Sequence, residues 1–198
     1  MSNPDALLHD FQSITEPLRL EELFVTPQPA ELEIGCGDGG FLLEHAQRHP
    51  ERKFLGVERL LGRVRKLSKN GQRVDLTNLR LLRIEARYVL DYLLPERAFS
   101  AAHVYFPDPW PKDKHARHRL IQPDFLPRIR RVLAPGGVLY LRTDDLPYFE
   151  QMQETFRGAD GFTEEPTPAA LSEITTEFER QWLAEGKRTH YAAYCLNG

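Results

Sequence analysis

The chain has only two cysteines in 198 residues, Cys36 and Cys195, and neither belongs to a CxxC or a His/Cys cluster. This spacing offers neither a disulfide framework nor a zinc site, and leaves the two as buried or loop thiols. A long apolar run is missing as well. At the amino terminus Leu7, Leu8, Phe11 and Ile14 follow no basic head and are interrupted by His9 and Asp10. The sequence therefore predicts no signal peptide and no membrane span, and a cytoplasmic location. No Ser-His-Asp or Cys-His set falls at predicted strand ends, so nucleophilic hydrolysis has no support. His45 and His49 lack the adjacent glutamate of a metalloprotease helix and read as surface histidines. His103 reads as a satisfied core side chain, and no metal is expected.

A positive balance is also lacking, since the formal net charge is -3. Nucleic-acid-binding chains usually carry the opposite sign. The average conceals segregation. Residues 59–73 hold six cations and no acid, and residues 112–131 hold seven cations against Asp113 and Asp124, so the rest of the chain is strongly acidic. Such a pattern can guide a polyanion to one face, because local potential steers encounter more than net charge does.

What is present is an alternation of short apolar runs with helix-like segments, the mark of a mostly parallel sheet built from strand-helix-strand units. The length suits a single domain over residues 1–198. Strands are predicted near residues 31–34, 54–58, 79–84, 101–106, 138–143, 162–165 and 190–196. Leu60, Leu61, Val64 and Leu67 recur at helical spacing, so that helix can pack on the sheet with its arginines and lysines outward. Residues 1–25 read as a helix or an arm, and residues 158–175 as a loop-rich insertion before the last strand.

Two motifs carry chemistry. In the first, the strand ending at Ile34 runs into Gly35-Cys36-Gly37-Asp38-Gly39-Gly40 and opens a helix over residues 41–48. Glycines allow a ligand close to the backbone at the carboxyl edge of such a sheet. Glu33 precedes the turn and Glu58 ends the next strand, where an acid can accept ribose hydroxyls. Glu33 and Asp38 would repel a pyrophosphate at the helix start but favour the sulfonium and ammonium of S-adenosylmethionine. A nucleotide-dependent oxidoreductase is the alternative. Glu85 ends the third predicted strand, within reach of an adenine.

The second motif is Tyr105–Leu120, in which an apolar strand ends at Phe106-Pro107-Asp108-Pro109-Trp110-Pro111 and then turns basic. The prolines fix their own φ angles and bias the residues before them toward extended backbone, so Asp108 is expected to be held at the strand end. Trp110 either stacks on a base or packs the corner. An Asp-Pro corner after the fourth strand is also shared with amino-methyltransferases acting on nucleic-acid bases or glutamine amides, a further alternative.

Together, Glu33–Gly39, Gly56–Glu58, Phe106–Lys112 with its basic tail, Arg142–Asp145 and Thr176–Glu179 resemble, in order and spacing over residues 31–196, the motifs of bacterial tRNA (guanine-N7-)-methyltransferases. The resemblance implies a Rossmann-like class I α/β fold with a seven-stranded sheet and helices on both faces. It also implies S-adenosylmethionine as donor and tRNA as partner, with the variable-loop guanosine (position 46 in standard tRNA numbering) as acceptor. Carried over residue by residue, it gives Glu33, Gly35, Gly37, Glu58, Glu85 and Asp108 as donor-binding positions and Asp108 as the catalytic one. Substrate binding falls to Lys112, Asp144, Thr176, Glu177, Phe178 and Glu179, and tRNA contacts to Trp110, Lys114, His115, Arg117 and Arg119. Glu85, Asp113 and Glu177 depart from the residues usual at those positions. A monomer or homodimer is expected.

Overall fold

Alternation along the first strand, Ala-Glu-Leu-Glu-Ile, puts apolar side chains on one face and two glutamates on the other, a pattern that decides how the whole sheet is packed. The computed structural model describes residues 6–24 and 29–198, apart from the side chains of Asp113, Glu177, Phe178 and Gln181. In chain order the elements are α1 (Leu20–Leu23), β1 (Ala30–Ile34), α2 (Leu42–Arg48), β2 (Lys53–Glu58), α3 (Leu61–Arg73) and β3 (Leu79–Arg83). Next come α4 (Ala86–Tyr88), which widens into a π turn over Val89–Leu93, then β4 (Phe99–Tyr105), a 3-10 turn over Asp113–His118, α5 (Phe125–Val132) and β5 (Leu133–Thr143). The chain continues through α6 (Leu146–Phe156), β6 (Phe162–Glu165), α7 (Ala169–Ser172), α8 (Glu177–Ala184) and β7 (His190–Leu196).

The strands form one sheet in the order β3-β2-β1-β4-β5-β7-β6, with β7 antiparallel to both neighbours. The order reverses between β1 and β4, the place where open α/β sheets bind ligands at their carboxyl edge. One face is aliphatic: Leu32, Ile34, Leu55, Val57, Ala102, Val104, Leu139 and Leu141 pack in a cluster with residues of the π turn, α5 and α6. On the other face, Phe54, Leu79 and Leu81 lie with residues of α2 and α3. Beside them β1, β4 and β5 bury Glu31, Glu33, His103 and Arg142. No helix among the described residues is long and apolar enough to cross a membrane.

Three sequence expectations need correction. The fifth strand begins at Leu133 rather than Val138, because Leu133 pairs with Phe99 and the chain bulges before Val138 pairs with Ala101. A side chain at Gly137 would lie 2.8 Å from the Ala134 carbonyl oxygen, so the bulge requires glycine there. Besides the strand expected at 162–165, which is β6, residues 158–175 contain α7, and Leu171 and Ile174 are buried with Phe41 and Tyr105 rather than spent on a surface loop. The described part of the amino-terminal segment is also no free arm. Leu8 bridges to Leu81 beside β3, and Leu18, Leu23 and Phe24 enter the aliphatic core. The segment covers the exposed edge of β3, which would otherwise offer unpaired backbone groups.

Candidate active site

The carboxyl ends of β1 to β4 open onto a cavity of about 570 Å³, a size that suits a nucleoside-sized ligand. It is lined by Gly35 after β1, Glu58 at the end of β2, Ile84 and Glu85 after β3, and Tyr105 to Asp108 with Trp110 after β4. Four residues singled out for donor binding, Gly35, Glu58, Glu85 and Asp108, thus meet in one place although they are spread over more than seventy positions. Gly35 has φ +77°, the left-handed region that glycine enters without a steric penalty. Glu58 is buried, and one of its carboxylate oxygens accepts the Leu60 amide at 2.8 Å. Glu85 caps α4 by accepting the Tyr88 amide at 2.9 Å. Its carboxylate is therefore fixed at the cavity wall by a local helix start.

Glu33 and Gly37 do not line the cavity. Glu33 lies just behind the wall formed by Gly35 and Tyr105. It is buried, its Oε2 has no hydrogen-bond partner among the described residues, and burial pushes its carboxyl up to about 8, against the pull of the Arg142 guanidinium. An acid so shifted, directly before the cavity-lining Ile34 and Gly35 in the chain, is a candidate functional group.

The corner after β4 departs from the expectation for residues preceding proline. Phe106 and Trp110, which precede Pro107 and Pro111, have φ +51° and +43°. Such conformations cost on the order of 1–3 kcal/mol each and persist only where the surroundings impose them. Those surroundings are visible: the Phe106 amide donates to the Arg142 carbonyl at 2.8 Å, and its ring meets Trp182 edge-on at 5.2 Å. Trp110 lies parallel to His115 at 5.8 Å and tilted against His118 at 5.1 Å. The Asp108 backbone is thereby held, while its exposed carboxylate accepts no hydrogen bond from the described residues. It is the backbone that is fixed, and the carboxylate stays open to a ligand.

Thr176 and Glu179 form a reciprocal cap at the start of α8. The Thr176 amide donates to Glu179 Oε2 at 2.9 Å and the Glu179 amide donates to Thr176 Oγ1 at 3.1 Å. Glu179 is fully buried, and its oxygens are engaged inside the fold by the Thr176 amide, Arg142, Thr189 and Tyr191. The cap is close to the glycine turn, since a side chain at Gly40 would lie 3.3 Å from Thr176 Cβ. The side chains of Glu177 and Phe178 lie outside the described residues. Asp144 is half-buried at the end of β5, and Lys112 and Lys114 are exposed.

The basic run divides in two. Arg128 binds Asp91 and Asp124, and Arg131 donates to the Leu90 and Leu94 carbonyls. Arg119, expected at the RNA, instead turns inward to Pro109 and Gln151. Lys112, Lys114 and Arg117 keep their exposure, and Arg117 and His118 reach the cavity rim. Sequence reasoning placed Arg59 and Arg63 on an outer helix face, yet both line the cavity. The available signal was their position directly after Glu58, at the carboxyl edge of the sheet.

His103 is a core side chain as expected, but His45 is buried, not at the surface. Each donates or shares a hydrogen bond with Glu31 Oε2, at 2.9 and 2.8 Å. Glu31 also binds Arg52 through its other oxygen. His45 is drawn inward because α2 lays it over β1, against Phe41 and Phe54. These three groups are near enough to hold a metal ion. Both short contacts converge on one Glu31 oxygen, which fits a hydrogen-bonded core triad.

A family model described as "Putative methyltransferase" matches residues 27–192. The tRNA (guanine-N(7)-)-methyltransferase of Syntrophotalea carbinolica is 32% identical over 190 residues, covering 94% of this chain and 82% of that protein. Proteins of the same name from Thermotoga maritima and Chromohalobacter salexigens are 34% and 41% identical, over 87% and 75% of this chain. The matches span 56% and 61% of the length of those two relatives. Among solved structures, the 16S rRNA methyltransferase KamB superimposes with a TM-score of 0.63 at 16% identity, covering 90% of this chain and 93% of that one. Phosphoethanolamine N-methyltransferase 2 of Haemonchus contortus, in complex with S-adenosyl-L-methionine, gives 0.54 at 14% identity over 90% and 51%. Sheet order and these likenesses make the fold that of the Rossmann-like class I methyltransferases. The family model makes the chain a methyltransferase, and by its relatives it belongs to the tRNA (guanine-N(7)-)-methyltransferase family.

Proposed function

We propose that this protein methylates guanine N7 in tRNA, at the variable-loop guanosine, with S-adenosylmethionine as donor, in the cytoplasm. The observation that carries the reading is the meeting of Gly35, Glu58, Glu85 and Asp108 around one cavity whose rim holds Trp110, Arg117 and His118. The residues suit that donor. Glu58 keeps an oxygen for ribose hydroxyls beyond the one engaged by Leu60, and the open glycine turn admits a backbone-close ligand. At the turn Asp38 is paired with Lys66 at 2.6 Å, so Glu58 and Asp108 are the carboxylates that face a cationic methionine moiety across the cavity. Bound there, the donor supplies an electrophilic methyl group on a sulfonium.

Guanine N7 has an in-plane lone pair and no proton at neutral pH, so attack needs no general base. The protein's task is alignment and charge. Holding N7 in line with the methyl carbon and sulfur removes much of the entropy of encounter. Positive charge then develops on the guanine ring, and the open carboxylate of Asp108 is placed to accept hydrogen bonds from the ring's N1-H and amino group as it does so. Trp110 offers a stacking face worth about 1–3 kcal/mol for a flipped base. Lys112, Lys114 and Arg117 follow the phosphate backbone, and Asp144 and Thr176 flank the acceptor.

The test is incubation with labelled donor and unmodified tRNA, followed by nucleoside analysis. The expected product is 7-methylguanosine. Its absence under conditions where the donor binds would overturn the reading, and methyl label on an exocyclic amine would move the protein to the amino-methyltransferases.

A further inference from the structure

We infer that Arg119 is the positioning residue of the Asp108 corner, holding the Pro109-Trp110 backbone in place so that Asp108 and Trp110 face the cavity together. The inference deepens the proposed methyl transfer and rests on that reading for its kinetic part.

The guanidinium of Arg119 reaches back across nine residues to the strained corner. Its Nε–H donates to the Pro109 carbonyl at 2.7 Å, and a longer contact of 3.5 Å runs from Nη2 to the Trp110 carbonyl. On its other side Nη1 donates to Gln151 Oε1, and the plane of the group lies 5.0 Å over the Tyr148 ring. Both Gln151 and Tyr148 belong to α6, whose own attachment is firm: the Gln151 side-chain Nε2 donates to the Ile121 carbonyl at 3.1 Å, and the Ile121 backbone amide donates to the Tyr148 hydroxyl at 2.9 Å. The Arg119 backbone is fixed as well, because its carbonyl accepts from Arg87 at 2.8 Å and from Gln122 at 2.6 Å.

Arg119 therefore ties a rigid helix to two carbonyls that bracket a residue with φ +43°. Trp110 adopts this conformation immediately before a proline, where the chain by itself favours extended backbone. The loop over residues 111–118 is closed by the same side chain, so the exposed Lys112, Lys114 and Arg117 are carried on a loop pinned at its base. A planar fork that hydrogen-bonds in two directions and stacks on an aromatic ring cannot be replaced by the point charge of lysine. This separates Arg119 from its cationic neighbours, for which charge alone would suffice.

The experiment compares Arg119→Lys and Arg119→Ala with Lys114→Ala. The chain has two tryptophans, Trp110 and Trp182, so protein labelled with 5-fluorotryptophan gives two fluorine resonances, assigned with Trp182→Phe. In both Arg119 variants, without donor or RNA, the Trp110 resonance is expected to shift or broaden while that of Trp182 stays. With tRNA, kcat is expected to fall roughly 10- to 100-fold in both, with donor affinity, the KM for tRNA and its salt dependence within about twofold of wild type. Lys114→Ala should do the reverse, raising KM and flattening the salt dependence. Wild-type kcat in Arg119→Lys, together with a flattened salt dependence in Arg119→Ala, would make Arg119 a phosphate contact and overturn the inference. So would a lowered melting temperature with an unmoved Trp110 resonance and unchanged kcat. Should wild-type protein not methylate tRNA, the functional reading fails, and the fluorine spectra still decide whether Arg119 holds the corner.

Discussion

Arg142 and Glu179 form an ion pair at 3.4 Å with both side chains at most 1% exposed, and the same guanidinium lies 4.1 Å from the Tyr105 ring centroid and donates to the Ile174 and Leu171 carbonyls. The last strand before the site, β5, is thereby locked to the segment that starts α8. Removing one member of a buried pair leaves an uncompensated group. Arg142→Leu is expected to lose about 3–5 kcal/mol of stability, measured by urea unfolding. Glu179→Gln keeps the shape and the contact to Thr176 but leaves the buried Arg142 cation without its counter-ion, and should lose a similar amount. A loss under about 1 kcal/mol in Arg142→Leu would show that the segment is held by apolar packing instead.

Glu31 should make the protein sensitive to acid. Burial alone would raise its carboxyl, but hydrogen bonds from His103 and His45 outweigh that and hold it well below the usual 4.5. The folded state therefore releases this proton more readily than the unfolded one. The stabilisation is fully present above about pH 4.5 and is lost as pH falls through the lower folded value. His103 acts in the same sense: burial lowers it from 6.5, so the unfolded chain takes up its proton first as pH drops. Glu31→Gln is expected to cost on the order of 2–3 kcal/mol at pH 7, with the gap to wild type narrowing below pH 4.5. A gap that is constant from pH 7 to pH 3 would contradict the assignment.

Glu33 predicts a slope of the same sign, at higher pH, for ligand binding. Its carboxyl, pushed up to about 8 by burial, is protonated at neutral pH in the free protein. A cationic donor favours the ionised form, so binding should release a proton, and affinity should rise with pH by up to about tenfold per unit until about pH 8. Calorimetry of S-adenosylhomocysteine binding in buffers of different ionisation enthalpy reads the proton directly. The same pH profile in Glu33→Gln as in wild type would place the cation elsewhere.

Asp108→Ala is expected to lower turnover on the order of 10²–10³ while donor affinity changes less. Equal losses in both would assign its carboxylate to the donor. Single-turnover kinetics with saturating tRNA, set beside a donor-binding isotherm, separates the two outcomes.

Lys114→Ala and Arg117→Ala should each reduce the slope of log affinity against log salt for tRNA by roughly 0.7–0.9. Arg128→Ala should leave that slope unchanged and lower thermal stability, because its charge is spent on Asp91 and Asp124. Filter-binding titrations at several salt concentrations check all three.

Much of this was legible in the chain itself. Two-residue alternation in Ala30–Ile34 marked a strand with an acidic face, Gly35 to Gly40 marked a ligand-admitting turn, and Phe106–Trp110 marked a stiff acid-bearing corner. These are local properties, set by side-chain period and by the conformations open to glycine and proline. What they could not fix was the partner of each charge. Arg119 meets Gln151, Arg131 meets the Leu90 carbonyl and Arg142 meets Glu179, all more than thirty residues apart. The buried place of His45 and the left-handed Phe106 and Trp110 are likewise imposed by distant neighbours. Sequence determined the places of the strands along the chain, the glycine turn and the acids at the strand ends, because each follows from short-range pattern. Only the tertiary structure decided which cations stay exposed and which are tied into the fold, because that depends on the carbonyls and carboxylates the fold brings within about 3 Å of each guanidinium.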